Sequence, residues 1–165
     1  MQTMTRFVGG LVMLLVVTVA AAHNVELLDD CAPNADWGVN GCLLEEGDVT
    51  RSEFFNAELL SPLADAVIGH QAWRNDPSYL KIESDDTVNV KNKGGRNHTF
   101  TEVASFGGGS VPALNFGLDP APECAAVPNL PPGESFKITE LSVGNHRFQC
   151  CRHPWMRTLI KVIDE

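Results

Sequence analysis

From Tyr79 to the C-terminus the chain breaks into short runs in which apolar residues recur at every second position, separated by clusters of Gly, Pro, Asn and Asp. Leu80 and Ile82 share one face, Ser84-Asp85-Asp86 makes a turn, and Val88 and Val90 continue at the same period, which reads as a strand pair. Gly94-Gly95 marks another turn before a β-rich run over 98–103. Two further strands, over 135–140 with Phe136 and Ile138 on one face and over 146–150, flank the turn Val143-Gly144-Asn145. A last strand spans 157–162. Between them, the section 107–132 contains Gly107-Gly108-Gly109, Pro120, Pro122, Pro128, Pro131 and Pro132, and reads as ordered loop. Many short strands with turn signals between them predict an all-β antiparallel sandwich or barrel, not a βαβ fold. The chain has no internal repeat.

The N-terminal part has a different character. Arg6 precedes an apolar run from Phe7 to Val19 that closes on Ala20-Ala21-Ala22, the pattern of a cleaved secretory signal peptide over residues 1–22. The run is shorter than the roughly 20 residues a membrane span needs, and an acidic segment follows it. The expected mature protein is therefore soluble and periplasmic or secreted. From His23 to Gly69 there are ten acidic residues and one basic residue, Arg51, whereas from His70 onward acids and bases nearly balance. Phosphate attraction needs clustered Lys and Arg, so this distribution argues against nucleic acid or an anionic membrane as partner. Thr50 and Glu53 form a capping-box spacing ahead of Phe54, Phe55, Leu59 and Leu60, so the acidic segment reads as loop followed by short helices, interrupted at Pro62. The stretch Gly47 to Phe54 also resembles half of a calcium loop. Its other half would place Cys42, Leu44 and Glu46 where oxygen ligands belong, and a helix start is the better reading.

The chemistry is concentrated in Cys150-Cys151-Arg152-His153-Pro154-Trp155-Met156, with a thiol, an imidazole and a thioether spaced C-x-x-H-x-x-M. Soft sulfur with imidazole selects copper, and two His with one Cys and a weak axial Met is the donor set of electron-transfer copper sites. His98, which opens a run after a Gly-rich turn, is the candidate for the second imidazole. An adjacent thiol competes for the ligand role, and strand parity decides between them. Successive residues face opposite sides, so if Phe148 and Cys150 face the core, Cys151 faces away. Five cysteines in an exported chain imply disulfides and one thiol left over, here Cys150. The other four allow three pairings, of which Cys31 with Cys42 and Cys124 with Cys151 are preferred.

At these residues the chain resembles the cupredoxins (plastocyanin, azurin, amicyanin and their relatives), and its ligand-loop spacing is most similar to amicyanin. Residues 79–103 look like the paired strands leading to the family's first His ligand, and 130–162 like its final strands with the ligand loop between them. The resemblance covers roughly residues 70–165. It implies a Greek-key β-sandwich over 70–165, preceded by an acidic extension over 23–69, and a single type 1 copper ion. It also implies that His98, Cys150 and His153 are equatorial ligands and Met156 the axial one. The ring edge of His153 would be exposed within an apolar patch of Pro154 and Trp155 where redox partner proteins dock, with Arg152 and Arg157 adding positive charge at its rim. The function implied is one-electron transfer by a monomeric, non-enzymatic carrier.

Ordinary readings compete with parts of this. His146 shares parity with Phe148 and reads as a core residue, Trp155 could equally be core packing, and His70 has no partner pattern. Copper storage or delivery is the alternative function, disfavoured by the absence of a Met-rich or His-rich tail. A copper oxidase or monooxygenase activity would need His23 as the N-terminal residue, chelating copper through its amine and ring. No second His supports it.

Overall fold

Val25, Leu27 and Asp29 alternate with less buried residues, and the strand they define, β1 (Ala22–Asp29), lies inside a sheet with all three side chains buried. The computed structural model describes residues 20–29, 31–32, 42, 47–60 and 73–164. After β1 come helix α1 (Arg51–Leu60) and strands β2 (Trp73–Asp76), β3 (Tyr79–Glu83), β4 (Thr87–Asn92), β5 (Thr101–Val103), β6 (Ser135–Ile138), β7 (Gly144–Gln149) and β8 (Arg157–Ile163). They form two four-stranded sheets, in the orders β2-β1-β4-β6 and β3-β8-β7-β5. Both contribute to one core: Val25, Leu27, Val88 and Val90 from the first, and Ile82, Phe148, Ile160 and Val162 from the second. Each such side chain contributes roughly 1.5–3 kcal/mol by leaving water.

The all-β sandwich expected from the sequence is present, with three differences in how it is assembled. Residues 23–29, expected as part of a loop-and-helix extension, form with Ala22 a strand that pairs parallel with β4, Val25 opposite Val90. The runs on either side of Ser84-Asp85-Asp86 are strands but do not pair with each other. β3 pairs with β8, β4 pairs with β1 and β6, and the turn carries the chain from one sheet to the other. β6 and β7 likewise lie in different sheets. A tight turn between two period-two runs has the same sequence signature whether the chain folds back within a sheet or crosses between two. The parallel pairs β1–β4 and β3–β8 make both sheets mixed, where antiparallel pairing was expected.

Thr50 and Glu53 form the capping box: the Thr50 N–H donates to Glu53 Oε2 at 2.8 Å, and the Glu53 N–H to Thr50 Oγ1 at 3.3 Å. The helix so started buries Phe54 in the main core. The side chains of Phe55, Leu59 and Leu60 lie outside the described residues, as do Pro62, His70 and the apolar run 1–19. Among the described residues, no helix is long and apolar enough to cross a membrane.

The Gly- and Pro-rich section is ordered and contains two short 3-10 turns, Pro112–Leu114 and Pro122–Ala125. It covers the outer face of the second sheet, where Val103, Ala121, Cys124 and Cys151 form a second apolar cluster. Gln149, on the same face as Cys151, is fully buried; its Oε1 accepts the Gly107 N–H at 3.0 Å and its Nε2 donates to the Gly108 carbonyl at 3.2 Å. Gly109 is required by close approach, because a Cβ there would overlap the Cys151 carbonyl. Cys124–Cys151 ties this loop to the strand end and Cys31–Cys42 closes a loop near the N-terminus, which leaves Cys150 as the free, buried thiol. Linking residues 27 apart restricts the unfolded chain by on the order of 3 kcal/mol.

His146 lies on the Phe148 face but is only half-buried. Its ring bonds Glu102 Oε1 and the Ser142 carbonyl, so it is held by polar partners and is not part of the apolar core. At the sheet-crossing turn, Asp86 Oδ1 accepts the Ala21 N–H at 2.6 Å, and Oδ2 accepts the Glu83 N–H and a bond from His23 Nε2. The Glu83 amide holds the Asp86 carboxyl below its ordinary value, burial opposes this, and His23 reinforces it. A lowered carboxyl pKa stabilises the fold above the unfolded value near 4 and is lost as pH falls through the folded value. Thermal melts should therefore show Asp86→Ala less stable than wild type at pH 7, with the gap closing at acidic pH; a constant gap would mean that the charge does not matter.

Candidate metal centre

Cys150 follows directly on β7, and the chain turns through residues 151–156 before entering β8. The turn closes on itself: the Cys150 N–H donates to the Met156 carbonyl and the Met156 N–H to the His153 carbonyl, both at 2.9 Å. It is also held from outside, since the Cys151 N–H donates to Thr99 Oγ1 at 2.7 Å and the Cys151 carbonyl accepts the Ser110 N–H at 2.6 Å. His98 arrives through a reciprocal bridge with Leu130, at 3.1 and 2.7 Å. The buried Asn92 side chain shapes the turn before it, donating to the Arg96 and Leu130 carbonyls and accepting the Gly94 N–H.

These elements bring His98, Cys150 and His153 into one cluster whose ligand atoms all lie within 4.8 Å of one another. Cys150 Sγ is 3.7 Å from His98 Nδ1 and 3.8 Å from His153 Nδ1, and the two nitrogens are 3.1 Å apart. His98 and Cys150 are fully buried, and His153 is half-buried. Met156, three residues after His153, is also fully buried in the same core as Cys150. Two imidazole nitrogens converging on one thiol suit copper, and the rings already present their donor atoms inward.

The electrostatics agree with that use. Burial alone would raise the Cys150 thiol, but hydrogen bonds and charge from His153 and His98 bring it well below its ordinary value. Burial alone would lower His98, but the Asp29 bond and the facing Cys150 raise it to about 9. Thiolate and imidazolium therefore stabilise each other, and a metal ion would take the proton's place. Metal uptake releases protons and weakens as pH falls.

Asp29 is the site residue that sequence reading missed. Its Oδ1 lies 2.6 Å from His98 Nε2, and both side chains are essentially inaccessible to water. Oδ2 accepts the Gly95 and Arg96 N–H groups at 2.9 and 3.1 Å. A buried carboxylate is costly unless its oxygens are paired, and these three bonds meet that need. Gly94 leaves room for the carboxylate, because a Cβ there would sit 2.6 Å from Asp29 Oδ1. With Nε2 engaged, Nδ1 of His98 is turned to the cluster. The available signal was the alternation of Val25, Leu27 and Asp29, which places an acid on an apolar strand face.

The surroundings of His153 also differ from expectation. Trp155 is 2 % exposed and Pro154 is buried, so they form no surface patch. Trp73 stacks on the His153 ring, with centroids 5.8 Å apart and planes 9° apart. Phe54 of α1 contacts both Trp73 and Trp155 at about 5 Å, and Phe116 packs on Trp155 at 6.1 Å. Arg157 is buried, its Nε donating to the Pro154 carbonyl and its guanidinium lying over the Phe106 ring, so it adds no charge to a rim. His23 is joined to Asp86 and is no part of the cluster.

The two mixed sheets with a His-Cys-His cluster at one end make a cupredoxin-like sandwich, and cupredoxins are among the solved structures to which the chain is similar. A purple cupredoxin from Nitrosopumilus maritimus is 21% identical, matching 57% of this chain and 86% of its own, with a TM-score of 0.43. A methionine-to-alanine mutant of amicyanin in the Cu(I) state is 18% identical over 55% of this chain and 73% of its own, with a TM-score of 0.38. The copper-containing nitrite reductase of Thermus scotoductus SA-01 is 22% identical over 56% of this chain and 20% of its own, with a TM-score of 0.40. No family model and no curated relative matches the chain. Likenesses at these scores carry no inference about activity, which rests on the site itself.

Asp29→Ala should release the His98 ring and weaken copper binding about 10–100-fold, with Asp29→Asn recovering part of the loss. Competition with a chromophoric Cu(I) chelator measures this, and unchanged affinity in Asp29→Ala would show that the carboxylate does not position the ligand.

Proposed function

We propose that this chain is an exported type 1 copper protein that carries single electrons between redox partners. The observation that carries the reading is the convergence of two imidazoles and one free thiol, two of the three fully buried, at the braced end of a β-sandwich. In this reading His98, Cys150, His153 and Met156 would hold the copper, with the thioether as the weakest donor. Copper held there supplies a one-electron couple between Cu(I) and Cu(II).

The chain's own residues supply position and tuning. Asp29 and the Leu130 bridge hold His98, and Thr99 and Ser110 hold the Cys151 backbone, so the donors keep one arrangement in both oxidation states. The Thr99 N–H, 3.4 Å from Cys150 Sγ, draws charge from the thiolate and so influences the potential. Trp73 fixes the plane of the His153 ring while leaving it partly accessible, which makes that ring the route for the electron. The two disulfides accord with an oxidising compartment, as does the apolar run 7–19 when read as a secretory signal.

The purified copper form should show the intense visible absorption of a Cu(II)–thiolate bond and a type 1 EPR signal, and Cys150→Ser should abolish both. A colourless protein with an ordinary tetragonal Cu(II) signal would overturn the assignment. The reduced carrier should also keep its copper against a mild chelator through repeated redox cycles; ready loss of Cu(I) would favour storage or delivery.

A further inference from the structure

We propose that the cleft beside His153 is the docking seat for an acidic partner protein, an inference that rests on His153 being a copper ligand. The cleft has a volume of about 440 Å³ and is lined by Arg96, Asn97, Arg152 and His153 with Val111 and Leu114 among its apolar residues. Among the described residues, no carboxylate lines it. In a chain of net charge −9, the depression that reaches the accessible ligand therefore carries, among the described residues, two cations and no acid. Neither guanidinium is in an ion pair with a described residue. Arg152 donates through Nε to Asn129, which holds the side chain in place, and Arg96 sits on a backbone pinned by Asp29 and Asn92.

Arginine presents planar donors that match a carboxylate, is weakly hydrated, and is enriched where proteins meet. Aspartate or glutamate on a projecting loop of the partner would bind the two arginines and bring that loop against His153, with Val111 and Leu114 excluding water. At an ionic strength near 0.1 M, charges more than about 8–10 Å apart are largely screened, so the protein's net charge repels such a partner little, while at contact the local pair prevails. An encounter governed by two local charges is brief, as turnover of a carrier requires.

Ferrocyanide is a suitable probe because it is strongly anionic and gives one electron to the oxidised, copper-loaded protein, becoming ferricyanide as Cu(II) becomes Cu(I). Each protein is loaded with copper and its absorption spectrum recorded before stopped-flow kinetics. As ionic strength rises above about 0.1 M, where the net charges are already screened, the wild-type rate should fall, although both reactants are net negative. R96Q and R152Q should each slow the reaction on the order of several-fold at low salt and flatten or invert its salt dependence, with the spectrum intact. K161Q, on β8 opposite Asn145 near the far end of β7, should behave as wild type. Oligo-glutamate should compete with ferrocyanide and oligo-lysine should not.

A wild-type rate that rises with salt would overturn the proposal, as would arginine variants with unchanged salt dependence. Inorganic phosphate blocking the reaction as effectively as oligo-glutamate would make the cleft a small-anion site, and would equally overturn docking. Failure of the wild type to give a type 1 spectrum would instead overturn the reading of the metal centre, and the docking with it.

Discussion

The hydrogen bond between Asp29 and His98 joins parts of the chain that are far apart in sequence and holds the first imidazole at the angle the site requires. It spans 69 residues and lies wholly out of water, where an unpaired carboxylate would be strongly unfavourable. Its stability depends on the other oxygen as well, which the Gly95 and Arg96 amides satisfy. The Gly-rich turn, the Asn92 side chain that shapes it and strand β1 that carries Asp29 are therefore one unit. Without β1 in the sheet, His98 would keep its Leu130 bridge but lose the partner that sets its ring.

A second dependency runs through His153. Its ring is covered by Trp73, which Phe54 supports, and Phe54 sits on a helix that a capping box starts. The acidic N-terminal segment thus contributes an aromatic wall to the ligand loop. Such a wall restricts ring rotation and lowers the local dielectric, so the setting of His153 depends on residues far from the Cys-His-Met motif. With Pro154 and Trp155 occupied inside that wall, the accessible surface of the site shifts toward Arg96, Arg152 and the loop around Val111.

Much of this was legible in the residues. The spacing C-x-x-H-x-x-M, the odd cysteine count and strand parity singled out Cys150, and the short period-two runs announced a sandwich. The Thr50–Glu53 box marked a helix start. Three features were less accessible. A turn between two alternating runs does not state whether the chain stays in its sheet, so the pattern predicts β3 and β4 as partners although they lie in different sheets. An acid-rich segment suggests solvent, and the composition of 23–69 concealed a strand whose acid is buried against His98. Trp155 carries no local mark of its neighbours, and its burial follows from Phe54, Trp73 and Phe116 arriving from elsewhere.

By itself the sequence determined the chemical nature of the centre, because donor identity and close spacing are local properties that survive in any fold that brings the strand ends together. It also determined the strand-rich class, through side-chain alternation. The tertiary structure alone decided which sheet each strand joined, which carboxylate holds His98, what covers His153 and which arginine reaches the cleft. Those are contacts between residues tens of positions apart, set by how two faces bury their apolar sides against each other, and a linear pattern does not encode which distant side chain fills a given place.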